Sequence, residues 1–158
     1  MGVEIERKFV VPDPPGDLER HASEQIHQGY LVVSGDAEVR IRSLGDERFL
    51  TVKRGSGMER AELEIEISDQ QFQALWKLVE GRHVTKRRFY LPLGTLTAEV
   101  DIYGGELDGL ITAEVEFESM DAGERFEPPE WFGAEVTDDD RFANQSLAQA
   151  ARPPEPAP

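Results

Sequence analysis

Acidic and basic side chains recur two residues apart along most of the chain. Glu4 and Glu6 are followed by Lys8, Arg40 and Arg42 flank Ile41, Lys53 follows Val52, and Glu62 and Glu64 alternate with Leu63 and Ile65. Lys86 and Arg88, Glu99 and Asp101, and Glu114 and Glu116 repeat the spacing. In an extended chain such pairs share one face and leave their apolar neighbours on the other. Carboxylate oxygens suit hard divalent cations such as Mg²⁺ or Mn²⁺, whereas Lys and Arg hold phosphoryl oxygens. Like charges about 4 Å apart repel by ~4 kcal/mol at an effective dielectric of about 20, so a shared channel of this kind needs counter-ions of both signs. A divalent ion with a polyphosphate supplies both. An open sheet is the other reading: its charged face lies in water, and each cross-strand ion pair contributes only about 0.2–1 kcal/mol.

The elements that must carry these residues are mostly short strands. Strand periodicity covers Val3 to Val11 and stops at Pro12, with Val3, Ile5, Arg7 and Phe9 opposite Glu4, Glu6 and Lys8. Further strands are predicted over Glu24 to Val33, Val39 to Leu44, Arg48 to Arg54 and Arg60 to Ile67, separated by Ser34-Gly35-Asp36, Gly45-Asp46 and Gly55-Ser56-Gly57. Links this short imply antiparallel neighbours. Phe72, Leu75, Trp76 and Val79 then fall at helical spacing over Asp69 to Glu80, with Ser68 or Asp69 as N-cap and Gly81 as the stop. Strand character resumes over Val84 to Leu91, Thr97 to Tyr103 and Leu110 to Glu118. The chain is then irregular until a final helix, predicted to start after Thr137 as N-cap and to bury Phe142, Leu147 and Ala150. The fold class is therefore α+β: one domain over residues 1–150 around an antiparallel sheet of about eight strands. The Pro-rich tail, residues 151–158, is expected to be disordered.

Composition narrows the chemistry. The 158 residues carry 17 Lys and Arg against 32 Asp and Glu, a formal charge of −15, which argues against a general nucleic-acid binder. A local cationic pocket for a small phosphorylated ligand survives within such a balance. The absence of cysteine removes disulfides, thiolate nucleophiles and Cys-based metal sites. No apolar run has the length of a membrane span or the pattern of a signal peptide, so a cytoplasmic protein with no membrane partner is expected.

The opening Glu4-Ile5-Glu6-Arg7-Lys8-Phe9 resembles the ExExK signature of the CYTH, or triphosphate tunnel metalloenzyme, superfamily. The likeness continues in order through Gln28-Gly29-Tyr30-Leu31, Val39-Arg40-Ile41-Arg42, Thr51-Val52-Lys53, Glu62-Leu63-Glu64, Lys86-Arg87-Arg88, Glu99-Val100-Asp101, Glu114-Val115-Glu116 and Glu135-Val136-Thr137, then Arg141 and Asn144. It implies an eight-stranded antiparallel β-barrel, the triphosphate tunnel, with peripheral helices. It also implies metal-site residues Glu4, Glu6, Glu114 and Glu116, and phosphate-binding residues Lys8, Arg40, Arg42, Lys53, Lys86, Arg88 and Arg141. Catalytic parts fall to Glu4, Glu6, Lys8 and Glu116, the last as the residue that orients water. Tyr30, Glu62, Glu64, Glu99 and Asp101 are placed toward the tunnel with their roles undivided.

The short chain and its EIERKF opening look most similar to the bacterial group that includes inorganic triphosphatases. The resemblance thus implies Mg²⁺- or Mn²⁺-dependent hydrolysis of tripolyphosphate to orthophosphate and pyrophosphate. A class IV-like adenylate cyclase and a noncatalytic metal–polyphosphate binding module are the competing readings, although no residue specifies adenine. A homodimer is an expectation at the level of the family.

Overall fold

The alternating segments all form strands in the computed structural model, which describes residues 2–158. They are β1 (Gly2–Val10), β2 (Ser23–Ser34), β3 (Ala37–Leu44), β4 (Glu47–Arg54), β5 (Glu59–Glu66), β6 (His83–Leu93), β7 (Leu96–Tyr103) and β8 (Ile111–Glu116). β2 to β5 form one antiparallel meander and β6 to β8 another, and β2 pairs with β6. β1 then closes the sheet by pairing with β5 on one side and β8 on the other, giving the closed order β1-β5-β4-β3-β2-β6-β7-β8. Closure removes free sheet edges and decides between the two sequence readings, because the charged face now lines an interior.

Hydrophobic packing is consequently arranged outside and at one end of the barrel. One cluster joins Phe9, Val11, Leu91, Val100, Val115, Phe117 and Phe132 on the outer face. A second joins Ile41, Phe72 and Val79 beneath α1 (Asp69–Trp76), with Leu75 and Trp76 packed against it. The Ser68 hydroxyl accepts from the Gln71 amide while the Gln71 side chain accepts from the Ser68 amide, a reciprocal cap that fixes where α1 begins. Gly29 of β2 admits Val79 so closely that an added Cβ would lie 2.5 Å from a Val79 methyl carbon.

The third cluster, Tyr30, Tyr103, Leu107, Leu110, Val136, Phe142 and Leu147, seats the C-terminal segment against one end of the barrel. The structure corrects the final helix here. Thr137 is not its N-cap: its hydroxyl accepts from the Lys8 amide and donates to Glu135. The segment instead makes a 3₁₀ turn at Asp140–Phe142, capped by Asp139, and then α3 (Asn144–Leu147). The stretch read as irregular also contains a two-turn helix, α2 (Met120–Arg125), capped by Ser119. α1 ends at Trp76 instead of continuing to Glu80, and β6 runs through Pro92 to turn at Gly94. No helix among the described residues is long and apolar enough to cross a membrane.

Candidate active site

The barrel encloses a cavity of about 600 Å³ lined by side chains from all eight strands and the C-terminal segment. Each strand's period-two pattern delivers its charges to this space: Glu4, Glu6 and Lys8 from β1, Arg40 and Arg42 from β3, and Lys53 from β4. Glu62 and Glu64 come from β5, Arg88 from β6, Glu99 from β7, and Glu114 and Glu116 from β8. Tyr30 of β2 joins them.

The carboxylates crowd closely enough to shift one another's pKa values. Glu6 lies cross-strand from Glu116, and burial raises its pKa well above the usual carboxylate range, with Glu114 and Glu4 pushing the same way. A hydrogen bond with Glu4, followed by burial, raises Glu62 to about 7. Burial acts against the Glu4 charge, but the Glu62 hydrogen bond and the Lys53 ammonium hold its pKa below the ordinary range. Lys53 Nζ stands 2.6 Å from Glu4 Oε2 and 3.5 Å from Glu62. Glu114 is likewise held low against its own burial, with Lys8 at 3.6 Å, and Glu116 is raised by burial and by Glu4. Among the described residues, no group of three or more His, Cys, Asp or Glu is gathered tightly enough to hold an ion as it stands. The donor chemistry nevertheless fits one: adjacent hard oxygens whose mutual repulsion a cation would relieve.

The basic groups are buried and partly unspent. Arg40 is 5 % exposed and its Nε has no hydrogen-bond partner among the described residues. Burial, then Arg40 and Arg88, lowers Arg42 to about 10, and its Nε donates to Gln28 Oε1 at 2.8 Å. Arg88 donates to both Asp101 oxygens at 2.8 and 2.9 Å, leaving Nη1 to reach Glu99 at 2.6 Å. Lys8 Nζ donates to the Phe142 carbonyl at 2.5 Å, which ties the opening motif to the C-terminal segment.

Three residues expected in the tunnel do not border its open space. Lys86 and Asp101 share the inward alternation of Arg88 and Glu99 but are fully buried and paired with each other at 2.7 Å. They are hydrogen-bonded to the cavity residues Asn144 and Arg88, with Lys86 lowered to about 7 by burial despite Asp101. Arg141 turns outward and its guanidinium grips Asp139, because the 3₁₀ turn at Asp140–Phe142 buries Phe142 instead. Tyr30 does line the cavity, but its hydroxyl accepts from Gln28 Nε2. Asn144 fastens the C-terminal segment, its Oδ1 accepting from the Tyr103 hydroxyl at 2.6 Å. Glu38, absent from the sequence-derived set, also lines the cavity and pairs with Arg60. Its signal was present, since Glu38 precedes Arg40 and Arg42 in the same two-residue period.

Comparison with known proteins agrees with this geometry. The model of the CYTH domain matches residues 2–152. An inorganic triphosphatase of Nitrosomonas europaea is 48% identical over 148 residues, covering 92% of this chain and 96% of that protein. An inorganic triphosphatase of Acetivibrio thermocellus is 37% identical over 153 residues, covering 94% of this chain and 95% of that protein. The crystal structure of an inorganic triphosphatase superposes with a TM-score of 0.69 at 41% identity, covering 95% of this chain and 97% of that one.

Proposed function

The chain belongs to the CYTH domain family, and from that membership we infer that it is a metal-dependent inorganic triphosphatase. Its substrate is tripolyphosphate, and its products are orthophosphate and pyrophosphate. The observation that carries this reading is the meeting of buried acids and buried bases in one closed cavity, in a chain 48% identical to an inorganic triphosphatase along nearly its whole length. Bases alone would suit any anion, and acids alone any cation.

Lys8, Arg40, Arg42, Lys53 and Arg88 hold the phosphoryl oxygens, the arginines as forks and the lysines as point charges. Glu4, Glu6, Glu114 and Glu116 are the residues that would hold Mg²⁺ or Mn²⁺. Such an ion supplies Lewis-acid stabilisation of phosphoryl charge and makes water more acidic. Glu116, exposed to the cavity at the end of β8 and with a raised pKa, orients the attacking water and accepts a proton from it. As water adds to the terminal phosphorus, the bond to the bridging oxygen breaks and its electron pair leaves with pyrophosphate. Lys53 and Arg88 neutralise the charge that develops there.

The reading extends to a cytoplasmic homodimer. Val3, Val52, Leu63 and Ile65 are exposed on the outer face of β1, β5 and β4, an apolar surface suited to a second copy. Sedimentation velocity checks this, with a dimer expected. For the activity, purified protein with Mg²⁺ or Mn²⁺ is offered tripolyphosphate, ATP and thiamine triphosphate, and the products are resolved. Phosphate plus pyrophosphate from tripolyphosphate is expected. Cyclic AMP from ATP, or binding without turnover, would overturn the assignment.

A further inference from the structure

Glu38 is a carboxylate where a polyanion's binding site has no evident use for one. It is 4 % exposed, lies inside the cavity, and sits on β3 two residues before Arg40. Its cross-strand neighbour Lys53 is turned to Glu4 and Glu62. The partner of Glu38 Oε1 is Arg60 of β5, reached across the intervening strand β4. Glu38 Oε2 and Arg60 Nε have no hydrogen-bond partner among the described residues, and both belong to side chains that line the cavity.

The place of this pair in the barrel gives it a consequence. Glu38 and Arg60 stand beside the β2–β3 turn at Gly35-Asp36 and the β4–β5 turn at Gly55-Ser56-Gly57, which line the same end of the cavity. The C-terminal segment closes toward that end: Asp138 Oδ1 lies 3.1 Å from where a Cβ on Gly57 would stand. The other cavity cations, Lys8, Arg40, Arg42, Lys53 and Arg88, thus give way at this end to a guanidinium already engaged by Glu38 and a carboxylate oxygen with no hydrogen-bond partner among the described residues.

We propose that Glu38 limits the length of the phosphate chain the tunnel accepts, by engaging Arg60 and by presenting negative charge where a fourth phosphoryl group would lie. This rests on the reading of the cavity as a tripolyphosphate site. Glu38 is a specificity-determining residue in this account, and Arg60 is the latent phosphate donor it restrains. Replacing the carboxylate by an amide of the same shape removes the repulsion and releases Arg60.

The test compares kcat/KM for linear tetrapolyphosphate with that for tripolyphosphate in the wild-type protein, Glu38→Gln, Arg60→Gln and the double variant, with folding followed by circular dichroism. Wild-type turnover of tripolyphosphate stands as the separate check on the underlying reading. The tetra-to-tri ratio is expected to rise about tenfold in Glu38→Gln, the size of one charge-assisted hydrogen bond gained. Most of that gain is expected to vanish in the double variant. Arg60→Gln alone, which leaves Glu38 unpaired in the lumen, is expected to lower the ratio and serves if Glu38→Gln fails to fold. A wild-type protein active on tripolyphosphate, with a ratio unmoved by either single variant, would overturn the proposal.

Discussion

Asp101 shows how a buried charge can serve a site it does not touch. It is 0 % exposed, receives two hydrogen bonds from Arg88 and pairs with Lys86, so one carboxylate compensates two cations. Asp101→Asn would leave Lys86 buried without its ion-pair partner and Arg88 with Glu99 alone. Removing one partner of a buried network of this kind costs about 3–5 kcal/mol, measurable as a lower midpoint in urea unfolding. A cost within about 0.5 kcal/mol of zero would show that the network does not hold Arg88 in place. In the sequence, Asp101 and Lys86 carry the same two-residue signature as their lumen-facing neighbours Glu99 and Arg88. Spacing assigns a residue to a face, but whether it borders open space depends on which neighbours the register brings against it.

Strands, by contrast, were largely legible, because an alternation of charge and apolar bulk over six or more residues admits few other conformations. β1, β3, β4, β5 and β7 begin and end within about two residues of where turn residues place them. α2 and α3 were not legible, since six and four residues are too few to establish a helical period. Their positions come from tertiary contacts instead, such as Lys8 Nζ on the Phe142 carbonyl and Tyr103 on Asn144. That also explains Arg141, whose outward direction follows from the burial of Phe142 beside it. The segment after α1 approaches the sheet closely at Gly29, where β2 meets Val79. Gly29→Ala should cost about 1–3 kcal/mol through overpacking, seen as a lower Tm with the tunnel residues unchanged. An unaltered Tm would mean that the segment after α1 does not press on β2.

Across the whole molecule, the barrel holds its acids together against their mutual repulsion, and this has a pH signature. A carboxyl whose pKa is higher folded than unfolded binds more protons when folded, so stability falls as pH rises between the two values. For Glu62, raised from 4.5 to about 7, that loss begins near pH 4.5 and extends through about 7, and Glu6, raised by burial, acts in the same direction. Glu4, Glu114 and Asp101 are held low and act oppositely: their stabilisation is present above their unfolded values and is lost as pH falls below them. In a chelating buffer, Tm should therefore decline from about pH 5.5 to pH 8, and Mg²⁺ or Mn²⁺ should restore it at pH 8. A Tm that rises across this interval without added ion would show that the crowded acids do not govern stability there.

If acids and bases from different strands of the barrel act on one ligand, losing either kind must stop the reaction. Tripolyphosphate followed by ³¹P NMR with Mg²⁺ in the wild-type protein, Glu4→Gln and Arg40→Ala reads this out. Orthophosphate and pyrophosphate should appear in equal amounts with the wild type, and both variants, folded by circular dichroism, should be slower by about a hundredfold or more. Wild-type turnover in either variant would contradict the claim.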